Sequence, residues 1–234
     1  MRKKSALLVT CEHGGNTIPL KYRYLFNNTD ILTTHRGYDP GALPLAKKIA
    51  AYNNCNFLYE TISRLLIEQN RSIGHASLFS RYSQLLSPDE RELLLVRYYH
   101  PYHQKILSLV QDNLSTKRFT IHLSIHTFTP VLDGVERTAD VGILYDPSSD
   151  SEYRTADWLK KNIREQINGI RVRRNYPYKG VSDGLTAWLR KKYNNMVYCG
   201  IEIEINQKHY QEKTAIWKQL SVHLPRIISE LHNF

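Results

Sequence analysis

The order of hydrophobic periodicities along the chain is the feature that most restricts its fold. Short apolar runs of strand character alternate with longer segments whose apolar residues recur at helical spacing. This alternation is typical of a mixed or parallel sheet with helices on both faces. Strands are predicted over residues 5–10, 55–59, 64–68, 119–126, 141–145, 170–173 and 197–205, and helices over residues 39–52, 87–114, 152–167, 185–193 and 212–231.

Local signals mark where two of these helices begin and where one bends. Ser87 followed by Glu90 has the spacing of a capping box, and Asp39 with Pro40 is suited to open the helix over residues 39–52. Pro101 predicts a kink inside the helix over residues 87–114. Since the chain contains no repeat, low-complexity tract or long linker, we expect one three-layer α/β domain over residues 1–234.

Composition excludes several classes of protein. The chain has 234 residues, of which 41% are hydrophobic, enough for a core and too many for a disordered chain. No apolar run approaches the ~18 residues of a membrane helix, and the run over residues 6–9 is too short for a signal peptide. Cys11, Cys55 and Cys199 lie far apart, which favours reduced thiols. We therefore expect a cytoplasmic protein that does not enter a membrane.

A formal net charge of +10 leaves two kinds of partner open. With 16 tyrosines, the chain has the cations and aromatic rings that bind nucleic acid. However, the basic residues are scattered and no nucleic-acid-binding motif stands out, so nucleic acid is the less favoured partner. The other interpretation is that some arginines bind a small anionic substrate.

Polar residues follow several predicted strands, and in α/β folds reactive groups gather at the carboxyl ends of strands. His13 follows the first strand, His126 ends the strand over residues 119–126, and Glu204 lies late in the strand over residues 197–205 together with Glu202. Two histidines and a carboxylate can hold a catalytic zinc ion, a further carboxylate can act as general base, and an arginine can stabilise an oxyanion. The sequence therefore contains the parts of a mononuclear metallohydrolase.

Each part also has an ordinary structural interpretation. His126, like His122 on the same face of the strand, is compatible with a buried core histidine. Asp39 is compatible with a helix cap, and Asn70 with Arg71 is compatible with a surface turn. From these residues alone, both interpretations stand.

Six segments taken in order resemble the N-formylglutamate amidohydrolase family. The resemblance spans about residues 6 to 208. The segments read CEHGGNTIP (11–19), DPGA (39–42), SRLLIEQNR (63–71), SIHTF (124–128), NYPYKG (175–180) and GIEIEINQ (200–207).

The resemblance implies a fold and a set of roles. That family is distantly similar to zinc carboxypeptidases and aspartoacylases, which have a phosphorylase/hydrolase-like α/β fold and one zinc ion. It implies that His13 and His126 bind zinc and that Glu204 is the catalytic glutamate. It further implies that Arg64 polarises the scissile carbonyl, and that Asn70 and Arg71 bind a substrate carboxylate.

The sequence departs from these relatives at Asn16, where carboxypeptidases have a glutamate ligand. Asparagine is a poor zinc ligand, so a third ligand is expected elsewhere. Asp39 is the first choice and Glu12 the second. Arg137, Tyr178 and Lys179 are additional candidates for contacts with the substrate, since they are polar groups between predicted elements.

The reaction that the resemblance implies is hydrolysis of the C–N amide bond of a small anionic N-acyl amino acid. N-formyl-L-glutamate, giving formate and glutamate, is the expected substrate. The sequence leaves three alternatives to this function open. The same scaffold could act on a peptide or a cell-wall fragment, the chain could be a metal-free nucleic-acid-binding module, or it could be a relative that has lost its metal.

Overall fold

A computed structural model describes residues 5–27 and 29–233. In this part of the chain the strands alternate with helices, as the periodicity predicts. The strands are β1 (Ser5–Cys11), β2 (Asn56–Tyr59), β3 (Phe119–Phe128), β4 (Val131–Leu132), β5 (Val135–Glu136), β6 (Val141–Leu144), β7 (Val172–Arg174) and β8 (Tyr198–Asn206).

Six of these strands form one sheet in the order β2-β1-β3-β8-β6-β7, and β4 and β5 form a short hairpin. Within the sheet β6 runs antiparallel to β8, and the other neighbours are parallel. The predicted mixed, largely parallel sheet is therefore confirmed. The parallel arrangement brings the carboxyl ends of β1, β3 and β8 to one edge of the sheet.

Helices cover both faces of this sheet. They are α1 (Asp30–Thr33), α2 (Ala42–Asn53), α3 (Pro88–Leu94), α4 (His100–Ser115), α5 (Asp150–Gln166), α6 (Leu185–Arg190), α7 (Gln207–Gln211) and α8 (Ala215–Ser229). Short 3₁₀ segments span Leu20–Leu25, Ser83–Leu85 and Glu230–Asn233.

Alternation along β1 divides the core into two layers. Leu7 and Val9 pack with α2, α5 and α8, whereas Leu8 packs with α4 and α6 on the opposite face. Burying a leucine of this kind contributes about 1.5–3 kcal/mol, so each layer is held mainly by apolar burial. The three-layer α/β arrangement thus follows from strands that are apolar on both sides.

The strand predicted over residues 64–68 is wrong, because residues 64–66 form a turn and residues 67–68 belong to no strand or helix. The Leu66 amide donates to the Ser63 carbonyl at 2.8 Å. Leu66 and Ile67 are adjacent and both fully buried, in a separate apolar cluster with Tyr22 and Leu94. Neighbouring residues of a strand point to opposite faces, so a turn is what buries both in one cluster.

The helix predicted over residues 87–114 is divided by a π-helical turn at Leu95–Tyr99. Ser87 and Glu90 form the expected capping box at its start. Pro101 has no N–H to donate and would clash with the carbonyl of Arg97 in a regular helix. A wider turn directly before Pro101 relieves this conflict and separates α3 from α4.

The predicted helix start at Asp39 is also wrong, since α2 begins at Ala42 with Gly41 as its cap. Gly41 has a φ of +91°, and a Cβ there would lie 2.6 Å from the Tyr210 ring. The chain therefore needs glycine at this turn. As a result Asp39 does not cap α2, and its side chain contacts His13 and His126 instead.

The cysteines are free thiols, as their spacing predicted. Cys11 and Cys199 are fully buried. Burial raises the pKa of the Cys11 thiol well above its usual value, and the charges of Glu12 and Asp39 raise it further. Cys11 is therefore unsuited to act as a nucleophile, although it lies two residues from His13.

Candidate active site

The loop after β1 places His13 at the edge of the sheet. Gly14 donates to the Glu60 carbonyl at 3.0 Å, and a Cβ on Gly14 would lie 2.8 Å from that oxygen. Glycine thus allows the loop to run against the segment that follows β2. His126 lies two residues before the end of β3, the parallel neighbour of β1, so both histidines reach the same edge.

His13, Asp39 and His126 form a compact cluster there. One ligand atom from each lies within 4.8 Å of the other two. Asp39 Oδ2 lies 3.3 Å from His13 Nδ1 and 2.9 Å from His126 Nδ1. All three side chains are at most 4% exposed. The cluster brings together the two histidines and the first-choice carboxylate that the sequence indicated.

A second carboxylate lies behind each histidine. His13 Nε2 contacts Glu68 Oε1, and His126 Nε2 lies 2.9 Å from Glu12 Oε2. The Nε2 atoms therefore face outward and the Nδ1 atoms face Asp39. Metal-binding histidines commonly have such an outer carboxylate, which orients the ring and fixes its tautomer. Glu12, the alternative third ligand, takes this outer position, which leaves Asp39 as the better-placed ligand.

The charges around the cluster favour a cation. Burial by itself lowers the pKa of His126, but hydrogen bonds to Asp39 and Glu12 raise it well above its usual value. The pKa of His13 is also raised: burial and Arg64 lower it, and Glu68 and Asp39 outweigh them. Two imidazole nitrogens and a carboxylate oxygen are donors that zinc prefers, so the residues present fit a zinc ion.

Glu204 lies next to this cluster on β8. Its Cα is the register partner of the His126 Cα across the parallel β3–β8 pair. Among the described residues, Glu204 Oε2 is a buried oxygen without a hydrogen-bond partner. Burial raises the pKa of Glu204 to about 7, and the charges of Asp39 and Glu202 act in the same direction. A carboxylate of this pKa can accept and release a proton near neutral pH.

The cluster and Glu204 line one cavity of about 220 Å³. Four of the substrate-contact candidates line the same cavity, namely Asn70, Arg71, Tyr178 and Lys179, and so does Arg64, the residue expected to polarise the scissile carbonyl. Its other lining residues are Thr127, Leu144, Ser182, Asp183 and Glu202. Arg137 lies beside this wall, where its Nη1 donates to the Tyr178 hydroxyl at 3.1 Å and its guanidinium sits over the Tyr178 ring.

The cations of the cavity differ in how they are held. Arg64 pairs with Glu68 and lies 3.4 Å from Asp39 Oδ1, so two carboxylates offset part of its charge. Arg71 is held by the backbone carbonyls of Asn70 and Asp183, at 2.7 and 2.8 Å, rather than by a carboxylate. The positive charge of Arg71 is therefore available to an anion in the cavity.

The N-formylglutamate amidohydrolase family model matches residues 5–211. The chain belongs to this family. No curated protein sequence matches this chain. Among solved structures, a gene product of Agrobacterium tumefaciens is 28% identical with a TM-score of 0.81, over 99% of this chain and 90% of that one. An N-formylglutamate amidohydrolase from Ralstonia eutropha JMP134 is 17% identical with a TM-score of 0.75, over 99% of this chain and 94% of that one.

Membership identifies the chain as an amidohydrolase, an enzyme that hydrolyses amide bonds. The structural neighbour from Ralstonia shares its α/β fold. In the residues that the structure describes, no helix has the length and apolar character to cross a bilayer.

Sequence reasoning missed Glu68 as part of the amidohydrolase site. Glu68 is 5% exposed and contacts both His13 and Arg64. It lies inside the segment SRLLIEQNR, four residues after Arg64, but the strand predicted there did not suggest an i,i+4 ion pair. Glu202 also lines the cavity, and its Oε1 accepts from the Thr186 hydroxyl at 2.6 Å.

Proposed function

We propose that this amidohydrolase is a zinc-dependent enzyme for small anionic N-acyl amino acids, with N-formyl-L-glutamate as substrate and residues 1–234 as one catalytic domain. The observation that carries the proposal is the cluster of His13, Asp39 and His126 at the wall of a cavity that also contains Glu204. His13, Asp39 and His126 would hold the zinc ion. Bound zinc supplies a Lewis acid that polarises a carbonyl and lowers the pKa of water in the site.

Glu204 is the general base and acid of the proposed reaction. It takes a proton from the attacking water as the water oxygen bonds to the acyl carbon. It then gives this proton to the amide nitrogen as the C–N bond breaks, which releases a carboxylic acid and an amine. Its Oε2 has no hydrogen-bond partner among the described residues, so this oxygen can take the proton and return it.

Arg64 stabilises the negative charge that develops on the carbonyl oxygen. Its Nε and Nη2 donate to Glu68 at 2.7 and 2.6 Å. A guanidinium has five N–H donors in a fixed plane, so donors remain for the substrate in the cavity that Arg64 lines. A fixed donor of this kind needs no reorganisation as charge develops.

The rest of the cavity supports a small anionic substrate. Arg71 and Lys179 offer positive charge, and an arginine suits bidentate contact with a carboxylate. The volume of about 220 Å³ lies below the ~300–1,000 Å³ usual for drug-sized ligands. This favours an amino-acid derivative over the peptide or cell-wall fragment that the sequence left open.

The test begins with the metal content of untagged protein, purified without chelator and measured by plasma mass spectrometry. We expect about one zinc per chain, in line with a single mononuclear site. Turnover is then measured on matched N-formyl and N-acetyl amino acids, with glutamate, glutamine and leucine as the amino acid. N-formyl-glutamate should give the highest kcat/KM. A chain that neither contains nor takes up zinc, or that hydrolyses none of the panel, contradicts the proposal.

A further inference from the structure

Glu68 contacts three parts of the site at once. Its Oε1 accepts from His13 Nε2 and from the Asn70 amide, the latter at 2.9 Å. Its Oε2 accepts from Arg64 Nε at 2.7 Å and lies 2.6 Å from Arg64 Nη2. Glu68 is itself 5% exposed and lies behind the cavity wall formed by these partners.

We infer that Glu68 is a positioning residue that sets the metal ligand His13, the oxyanion group Arg64 and the Asn70–Arg71 segment in one geometry. The inference deepens the proposed function and rests on it. The buried carboxylate of Glu68 would thus hold in place the residues for metal binding, for transition-state stabilisation and for substrate binding.

The contact with His13 fixes which ring nitrogen carries the proton. An ionised carboxylate only accepts hydrogen bonds, so Nε2 must be the protonated nitrogen of a neutral His13. Nδ1 then presents its lone pair toward Asp39 Oδ2, 3.3 Å away. Without Glu68, both tautomers and other ring orientations become available, and metal affinity should fall.

The contacts of Glu68 with Arg64 and Asn70 hold the residues that we expect to bind the substrate. Two N–H groups of Arg64 meet Oε2 of Glu68, which holds the guanidinium against the cavity wall. The Asn70 side-chain oxygen accepts from the Leu185 amide at 2.6 Å, while its backbone amide is held by Glu68. Asn70 is thereby anchored from two sides, and Arg71 follows it directly.

Glu12 provides an internal comparison. It lies behind His126 as Glu68 lies behind His13, and its other contacts include Tyr102 at 3.0 Å, Ser124 and Thr10. None of these partners belongs to the substrate side of the cavity. Loss of Glu12 should therefore weaken metal binding alone, whereas loss of Glu68 should also impair catalysis by zinc-saturated enzyme.

The experiment compares Glu68→Gln, Glu12→Gln and Glu152→Gln. Glutamine keeps the size of glutamate but places an NH₂ donor where one oxygen accepted. Glu152 is the control, because it is 1% exposed and paired with Arg190 Nε at 2.8 Å in a different part of the fold. Zinc affinity is measured by calorimetric titration of the metal-free proteins, and kcat and KM are measured at saturating zinc.

Glu68→Gln should raise the zinc Kd about 10- to 100-fold and lower kcat at saturating zinc about 100-fold. Glu12→Gln should raise the Kd by a similar factor and leave KM unchanged. Glu152→Gln should lower thermal stability while keeping the wild-type Kd and kcat. A Glu68→Gln protein with wild-type Kd and kcat overturns the inference. Wild-type protein that binds no zinc overturns the proposed function as well, so the two failures are distinguishable.

A measurement on the wild-type chain covers the case in which Glu68→Gln does not fold. Long-range ¹H–¹⁵N spectra of the zinc-loaded protein report which nitrogen of each histidine carries a proton. We expect the proton of His13 on Nε2. A proton on Nδ1 of His13 contradicts the role assigned to Glu68.

Discussion

Glu204 and His126 are directly opposite each other on two neighbouring parallel strands, as register partners of β8 and β3. The pairing places a buried carboxylate beside a candidate metal ligand, and Glu204 Oε2 has no hydrogen-bond partner among the described residues. His126 and Thr127 of β3 and Glu202 and Glu204 of β8, near the carboxyl ends of the two strands, line the same cavity. The chemistry of the site therefore depends on strand register as much as on residue type.

The first prediction concerns Glu204→Gln. We expect kcat to fall about 10²- to 10⁴-fold because the amide cannot take a proton from water. Zinc content should stay at the wild-type value, since the ligand cluster is His13, Asp39 and His126. Steady-state kinetics and plasma mass spectrometry on the same sample check both points, with the exposed Glu165→Gln as control. Near-wild-type turnover would falsify the role of Glu204.

The second prediction concerns Arg71→Ala. The Arg71 guanidinium is held by the backbone carbonyls of Asn70 and Asp183, so we expect it to bind the substrate carboxylate. Loss of a hydrogen bond to a charged group costs about 1.5–3 kcal/mol, which corresponds to a KM about 10- to 150-fold higher. The kcat should change much less, because binding is lost equally in ground and transition states. Arg154→Ala removes an exposed arginine and should change neither value. An unchanged KM in Arg71→Ala removes Arg71 from the binding site.

The third prediction concerns acid stability and His122. This side chain is fully buried between Thr10 and Tyr198, at 2.8 and 2.7 Å, and burial lowers its pKa to about 4. The unfolded chain binds a proton at this residue near pH 6.5, whereas the folded chain does not until about pH 4. Stability is thus retained above pH 6.5 and lost as pH falls toward 4, by up to about 3 kcal/mol.

Urea unfolding of the metal-free protein between pH 4 and 7 measures this loss without a contribution from metal release. His122→Gln cannot be protonated, so its unfolding free energy should depend less steeply on pH over the same window. Equal slopes for the two proteins contradict the prediction.

The fourth prediction concerns the ion pair of Glu152 and Arg190, which joins α5 to α6. Glu152 is 1% exposed, and its Oε1 also accepts from the Gly200 amide at 3.0 Å. Removing one partner of a buried pair costs about 3–5 kcal/mol, so Glu152→Gln should lower the unfolding free energy by about that amount. The exposed pair of Asp157 and Arg174 is the comparison, and Asp157→Asn should cost about 1 kcal/mol or less. If Glu152→Gln and Asp157→Asn lower the unfolding free energy equally, burial of Glu152 does not increase the contribution of its ion pair to stability.

Local pattern was sufficient for most of the fold. The apolar runs that became β1, β3 and β8 are buried on both faces, so their strand character is visible in the residues themselves. The capping box of Ser87 and Glu90 is equally local, because its partners are three residues apart. Such features depend on neighbours along the chain, and so the sequence reveals them.

The segments that sequence reasoning misassigned depend on distant partners. Leu66 and Ile67 are apolar enough for a strand, yet both enter a cluster with Leu94, which only a turn permits. Asp39 precedes a helix with Pro40 next to it, which suggests a cap, but its carboxylate turns toward His13 and His126. In both cases a tertiary contact outweighs the local preference.

The sequence by itself determined the α/β class, the strands that end in polar residues and, through the order of its motifs, the family. Only the tertiary structure decided that Asp39 joins the two histidines, that Glu12 and Glu68 lie behind them, and that Arg71 retains an available charge. Asp39 contacts His13 across 26 positions of the chain and His126 across 87, and Glu68 contacts His13 across 55. The sequence specifies the type of each side chain. The distances between these side chains depend on the register of the parallel strands and on the loops that follow them.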